Sequence, residues 1–333
     1  MKKFLVLVLT LVLALAACTT VLGEGYRIGF SDIYLTPSWM QQMKEMLDER
    51  TAYWQEKGVI EEVYLANANG DNSKQISDIQ NMVAEGYDAI IVIAGSATAL
   101  NNAIDEAMEK GVVVVNTNSL VTTDVTSVLA TSDEEYGETC ARWLCEELGG
   151  KGKIIMFSGP AGVATSDLRQ QGAEKVIAEY PDIEVVTVLN SEYNEAPALE
   201  MITPVLDAYE YDGILALGGS LACASLKALV ESGKPMVPIT GENYNGFVKL
   251  WYENIDAGFT SIAVGEPNWE GALALDLCIK ILNGEEYSDY YQLTRPVITN
   301  DNIDQYVPND IPDDYYLCDP LTDEEYVTML EVK

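Results

Sequence analysis

The sequence predicts an α/β protein of two Rossmann-like lobes with parallel sheets, joined by a hinge that the chain crosses several times. Two observations carry this: strands and helices alternate along most of the chain, and one strand-helix-strand unit occurs twice. The first copy runs from Tyr87 to Asn118. Its opening strand, Ala89 to Ala94, is an unbroken apolar run too short for a helix, as expected of a strand buried on both faces of a parallel sheet. Gly95 and Ser96 turn the chain, and the next helix carries Ala99, Leu100, Ala103, Ile104, Ala107 and Met108 on one stripe. Gly111 ends it, and Val112 to Val115 is the next buried strand. The second copy runs from Tyr211 to Glu242 and sets Tyr211, Asp212, Gly219, Ser220 and Glu242 at the places of Tyr87, Asp88, Gly95, Ser96 and Asn118. The apolar stripe of its helix is shifted in phase, so the repeat is structural rather than close. Small ligands bind in the loops after the strand C-termini of such sheets, and two units imply two matching rims with a cleft between them.

The other elements follow in order. Tyr26 to Phe30 opens the first strand, and the aromatic-rich loop Ser31 to Ser38 leads to a helix from about Trp39 to Lys57. Val59 to Asn67 is a strand, and the helix after it carries Ile76, Ile79, Met82 and Val83. Val125 to Thr131 is a further strand, and Ser132-Asp133 begins a helix where the chain first crosses between lobes. From Lys153 the pattern restarts: strand Ile154 to Phe157, loop Ser158 to Ser166, helix Asp167 to Tyr180, strand Ile183 to Leu189 and helix Ala196 to Tyr209, which Pro204 is expected to kink. Phe247 to Asp256 is a helix, Ser261 to Val264 a strand, Asn268 to Leu282 an apolar helix, and Arg295 to Thr299 a strand or crossing segment. Thr322 and Glu325 have capping-box spacing before a short last helix. Crossings near Ser132, Val264 and Arg295 link the lobes without locking them. The expected division is a signal at 1–17, a tether at 18–25, one lobe of 26–132 with 265–294, a second of 133–264 with 295–318, and a tail at 319–333.

The chain of 333 residues is 48% apolar and 22% charged, which is globular, and its formal charge of −34 argues against nucleic acid and anionic membrane surfaces as partners. It has no histidine, which removes the commonest general base and transition-metal ligand. No cysteine spacing suggests a metal, and no cofactor is expected. Lys2 and Lys3 precede the apolar run Phe4 to Ala17, too short to span a bilayer and of the right length for the core of an export signal. Leu15, Ala16, Ala17 and Cys18 resemble the bacterial lipobox, where the signal is cut before a cysteine that then carries lipid; a plain signal with an incidental cysteine is the alternative. Of the other cysteines, Cys140 and Cys145 point apart on one helix, and Cys223 and Cys278 read as small buried hydrophobes.

From Tyr26 to Asp304 the chain resembles the type I periplasmic binding proteins, the ribose-binding-like solute receptors of ABC transporters. The resemblance rests on the order and spacing of IGFS (Ile28 to Ser31), EGYDAIIVIA (Glu85 to Ala94), GVVVVNTNS (Gly111 to Ser119), ATSDEEYG (Ala130 to Gly137), the R-x-x-G of Arg169 to Gly172, VPITGEN (Val237 to Asn243) and DNID (Asp301 to Asp304). It implies capture of a small solute in the interlobe cleft, outside the membrane, and delivery to an ABC permease. The implied receptor is a monomer that meets the membrane only through its lipid anchor.

The resemblance also supplies candidate ligand contacts. After the first strand these are Tyr34, Thr36, Ser38 and Trp39; after the fourth, Asn118 and Ser119. In the second lobe they are Asp167, Arg169, Tyr193, Gly218 and Glu242, and at the recrossing Glu266, following Gly265 where the family has a glutamine. Several differ from the sugar-binding pattern, so the ligand shell is rebuilt. A sugar has hydroxyls at its edge and apolar faces, which suits carboxylates, amides and flat rings. Trp39 is either a ring wall or core, Asp167 either a ligand group or a helix cap, and Asn118 and Glu242 either ligand groups or turn residues. Two carboxylates with one nearby cation, Arg169, favour a neutral or cationic polyol over an acid, so a small neutral sugar or sugar derivative is expected. Two other readings remain: a receptor for a signalling sugar such as autoinducer-2, and a glycosidase-like enzyme using paired acids, for which no nucleophile or oxyanion hole is apparent.

Overall fold

The computed structural model describes residues 25–36 and 38–332. The segment expected to be an export signal, and Cys18, lie outside the described residues. Among the described residues twelve strands form two six-stranded sheets. In the first lobe β1 (Tyr26–Asp32), α1 (Ser38–Glu56), β2 (Ile60–Asn67), α2 (Asn72–Ala84), β3 (Ala89–Ile93), α3 (Asn101–Glu109), β4 (Val113–Thr117) and β5 (Ser127–Ala130) follow in sequence. The second lobe comprises α4 (Asp133–Glu147), β6 (Lys151–Ser158), α5 (Ala164–Ile177), β7 (Asp182–Asn190), α6 (Glu195–Ala208), β8 (Gly213–Ala216), α7 (Gly219–Ser232), β9 (Ile239–Gly241), α8 (Asn245–Asn254) and β10 (Ser261–Val264). The chain then returns with α9 (Glu270–Leu282) and β11 (Tyr290–Gln292) to the first sheet, crosses with β12 (Val297–Thr299) to the second, and ends in α10 (Asp323–Met329).

The strand orders are β11-β5-β4-β3-β1-β2 and β12-β10-β9-β8-β6-β7, so the repeated unit occupies the same place in both. Every pairing is parallel except that of β12 with β10. All five residues of β3 are buried, as its apolar run predicts for a central strand covered on both faces. β11 is absent from the sequence reading: three residues at a sheet edge, alternately exposed and buried, show too little pattern to find. α6 extends on both sides of Pro204, which lies inside it. The predicted capping box forms, with Thr322 and Glu325 exchanging side-chain and backbone hydrogen bonds at the start of α10.

α4 and α5 pack with their backbones almost touching, and two glycines make this possible. A Cβ at Gly137 would lie 1.9 Å from the Arg169 carbonyl oxygen, and one at Gly172 would lie 2.0 Å from that of Glu134. The glycines of ATSDEEYG and R-x-x-G therefore face each other's helices. Their contact brings Arg169 against Asp133, at the start of α4.

The C-terminal helix docks on the first lobe. Arg50 of α1 makes a two-pronged pair with Asp276 of α9 at 2.9 and 2.6 Å and reaches Asp323 of α10 at 2.6 Å. Its guanidinium lies 4.0 Å from the centre of the Tyr326 ring, and the Tyr291 hydroxyl donates to the Leu330 carbonyl. All five cysteines among the described residues are free; Cys318 alone is partly exposed.

Candidate ligand-binding cleft

In both sheets the first and third strands lie side by side with the second outside them, so the order reverses beside the first strand; loops at the strand C-termini diverge there and leave a crevice. The two crevices face each other across a cavity of about 120 Å³. From the first lobe it is lined by Ile33 and Tyr34 after β1, Trp39 and Met40 of α1, Ile93 at the end of β3, and Asn118 and Ser119 after β4. From the other side come Val163, Thr165, Arg169, Tyr193, Glu242 and Tyr316, with Glu266 on the second crossing. The lobes touch at this rim, where the Ser119 and Thr165 hydroxyls are 3.0 Å apart.

The wall is mainly apolar, and its charge is gathered in one buried cluster. The Arg169 Nε donates to Asp133 Oδ1 at 2.9 Å, one terminal nitrogen to Glu242 Oε1 at 2.5 Å, and the other to Glu266 Oε2 at 3.2 Å. Arg295 pairs with Asp133 at 3.1 Å and also with Glu266. The Tyr136 ring packs under both guanidiniums, with centroid distances of 4.2 and 5.2 Å. Burial works against the Arg169 charge, but Glu242 and Asp133 outweigh it and hold its pKa well above normal. Arg295 is pulled the other way, its pKa lowered by burial. Three carboxylates against two guanidiniums leave an excess negative charge, which disfavours an anionic ligand.

These groups come from all three interlobe crossings. Asp133 follows the first, Glu266 lies on the second and Arg295 on the third. Thr131 donates to Glu266 Oε1 at 2.8 Å, and the Trp39 indole donates to the Glu266 carbonyl at 3.3 Å. The cavity-lining Arg169 is thus bonded to the first two crossings, and their Asp133 and Glu266 tie in the third through Arg295.

A further acid sits behind the first-lobe rim. Glu270, fully buried in the first turn of α9, accepts from Thr117 at 3.3 Å and Asn118 at 3.5 Å through one oxygen, and its other oxygen has no partner. Burial, reinforced by repulsion from Asp133, pushes its pKa up to about 8. Asp32, at the end of β1, is pushed up to about 7 by burial, against backbone donation from Tyr34 and Ile33.

Of the twelve candidate contacts, Tyr34, Trp39, Asn118, Ser119, Arg169, Tyr193, Glu242 and Glu266 line the cavity. Thr36 and Ser38 lie just outside, in an adjoining space bounded by Tyr193. Gly218 seats that tyrosine: a Cβ there would stand 2.8 Å from the Tyr193 ring. Asp167 is exposed and away from the cavity, and its carboxylate accepts from the Gly162 backbone N–H at 2.9 Å. The reason is register, since α5 begins at Ala164 and puts Asp167 inside its first turn. Glu242 lines the cavity with both oxygens already engaged, one by Arg169 and the other by the Gly219 N–H at 2.8 Å. Nothing in the local sequence marks Tyr316; Gln42 holds its backbone through bonds of 2.8 and 2.9 Å, a contact between distant segments.

Paired parallel sheets with a solute-sized crevice at both switch points define a type I periplasmic binding protein, of the kind that serves sugar ABC transport. The family model for the periplasmic binding protein domain matches residues 28–286, and the chain belongs to that family. It is a solute-binding protein, not an enzyme. It is 27% identical to the xylitol-binding protein of Mycolicibacterium smegmatis over 307 residues, 88% of this chain and 83% of that one. Identity to the ribose import binding protein of Bacillus subtilis is 23%, covering 79% and 84%. The fold matches that of an ABC transporter solute binding protein from Thermobispora bispora with a TM-score of 0.81 at 23% identity, covering 91% of this chain and 94% of that one.

Proposed function

We propose that the protein captures a small carbohydrate without an acidic group in the interlobe cavity and hands it to an ABC permease. The observation that carries this is the cavity itself: flat walls at Trp39, Tyr193 and Tyr316 beside carboxylates already bound to arginine. Apolar sugar faces suit such rings. A carboxylate has about four lone-pair sites, so Glu242 and Glu266 can accept sugar hydroxyls while keeping their arginines. Tyr34, Trp39, Asn118, Ser119, Arg169, Tyr193, Glu242 and Glu266 form the ligand shell in this reading. The xylitol, ribose and xylose named for its relatives belong to the same chemical class. A thermal-shift screen is expected to show stabilisation by neutral or amine-bearing sugars and none by sugar acids or phosphates. A ligand at a thousand times its dissociation constant adds about 4 kcal/mol to folding, a shift easily read. A sugar acid as the strongest hit would overturn the reading.

The same reading makes residues 1–17 the export signal, 18–25 a tether, and Cys18 a lipid-carrying anchor for a monomeric receptor. The support is the Lys2-Lys3 pair, the short apolar run and Leu15 to Cys18. A Cys18→Ala variant is expected to leave the membrane fraction for the soluble extracytoplasmic one. Wild type recovered from that soluble fraction without lipid would rule the anchor out.

A further inference from the structure

On the far side of Tyr193 from the cavity lies a second, outer compartment of about 280 Å³, to which both lobes contribute: Thr36, Ser38 and Gln41 on one side, the start of α6 and α7 on the other. The inner cavity and this one share Tyr193 as their partition. Their chemistries differ sharply. Glu192, Glu195 and Asp314 line the outer compartment; Lys227 is paired with Glu195, and no ion pair engages Glu192 or Asp314 among the described residues. Ser220, in the first turn of α7, also lines it; it is only 3% exposed, and its hydroxyl has no hydrogen-bond partner. Buried hydroxyls are ordinarily satisfied, so an orphan one beside unpaired carboxylates fits a place built for a donor and acceptor brought by a ligand.

We infer that the outer compartment receives an amine-bearing substituent of the bound carbohydrate, with Glu192 and Asp314 facing the protonated amine and Ser220 bonding to a polar atom beside it. This rests on the carbohydrate reading of the inner cavity and extends it, making the physiological ligand an amino sugar or aminated polyol. The ring sits against Trp39 and Tyr193, and the amine reaches past Tyr193. An ammonium between two otherwise unpaired carboxylates gains from both, and the gain weakens as salt screens exposed charges.

The test is calorimetric titration of the full protein, at 20 and 200 mM salt, with glucose, galactose, mannose, ribose and xylose, each beside its aminodeoxy derivatives. At least one amine is expected to bind about ten-fold or more tightly than its neutral twin at the lower salt, with the advantage reduced at the higher. The double variant Glu192→Gln/Asp314→Asn, which changes two exposed side chains, is expected to bring amine and neutral affinities together. Neutral sugars binding as well as their amines would overturn the outer-compartment assignment alone. Failure of every sugar, neutral or aminated, would overturn it together with the carbohydrate reading.

Discussion

Arg169→Met is expected to lower the unfolding free energy by about 3–5 kcal/mol and to remove ligand binding. The magnitude follows from what is left behind: removing one partner of a buried ion pair strands the other charge without compensation. Here Glu242, 4% exposed, loses its cation and keeps the Gly219 N–H, while Glu266 and Asp133 are left to share Arg295. Methionine retains the apolar stem, so the loss reports mainly on charge. Urea unfolding at pH 7 measures it, and a change under about 1 kcal/mol would mean that water already compensates these carboxylates. Adding Glu242→Gln and Glu266→Gln to Arg169→Met should recover much of the stability, since neutralising a buried cluster as a whole costs far less than breaking it. Binding should stay lost, because Arg169 lines the cavity.

The second large effect is on pH dependence. Glu270 has a folded-state pKa of about 8, against about 4.3 for an unperturbed glutamate. The folded state therefore holds a proton that the unfolded chain releases. Stability from this group is fully present below about pH 4 and falls as pH rises toward 8, by a ceiling of about 5 kcal/mol. Asp32, raised to about 7, acts with the same sign. Wild type should thus unfold at lower urea at pH 8.5 than at pH 5. Glu270→Gln keeps the shape and the bonding to Thr117 and Asn118 but cannot ionise; it should remove most of that decline, leaving the share due to Asp32. Parallel pH profiles for variant and wild type would show that Glu270 is already ionised at neutral pH.

Much of the fold is legible because parallel sheets write long local signals. The run at Ala89 to Ile93 and its repeat at Gly213 to Ala216 both lie inside their sheets. The strand-end rule also marks Asn118 and Glu242, equivalent places in the repeat that both line the cavity. What remains hidden depends on contacts between distant segments. Arg295 reads as a crossing residue, yet its pairing with Asp133 and Glu266 makes it part of the charge cluster. Glu270 looks like an ordinary acidic residue in a helical first turn, and only its burial behind Asn118 sets its proton apart. Family position alone marks Asp167 as a ligand contact, while the local start of α5 at Ala164 decides where its carboxylate points.

The Arg50 clamp on α10 has a mechanical consequence. β1 begins in the first sheet, and α10 ends against α1 and α9, so both ends of the described chain belong to one lobe. Among the described residues the other lobe is an internal excursion, entered and left from the first. A cargo or leash pulling on either end of the described residues would therefore load the first lobe, like a gate hung from a fixed post, and the second would carry none of its weight.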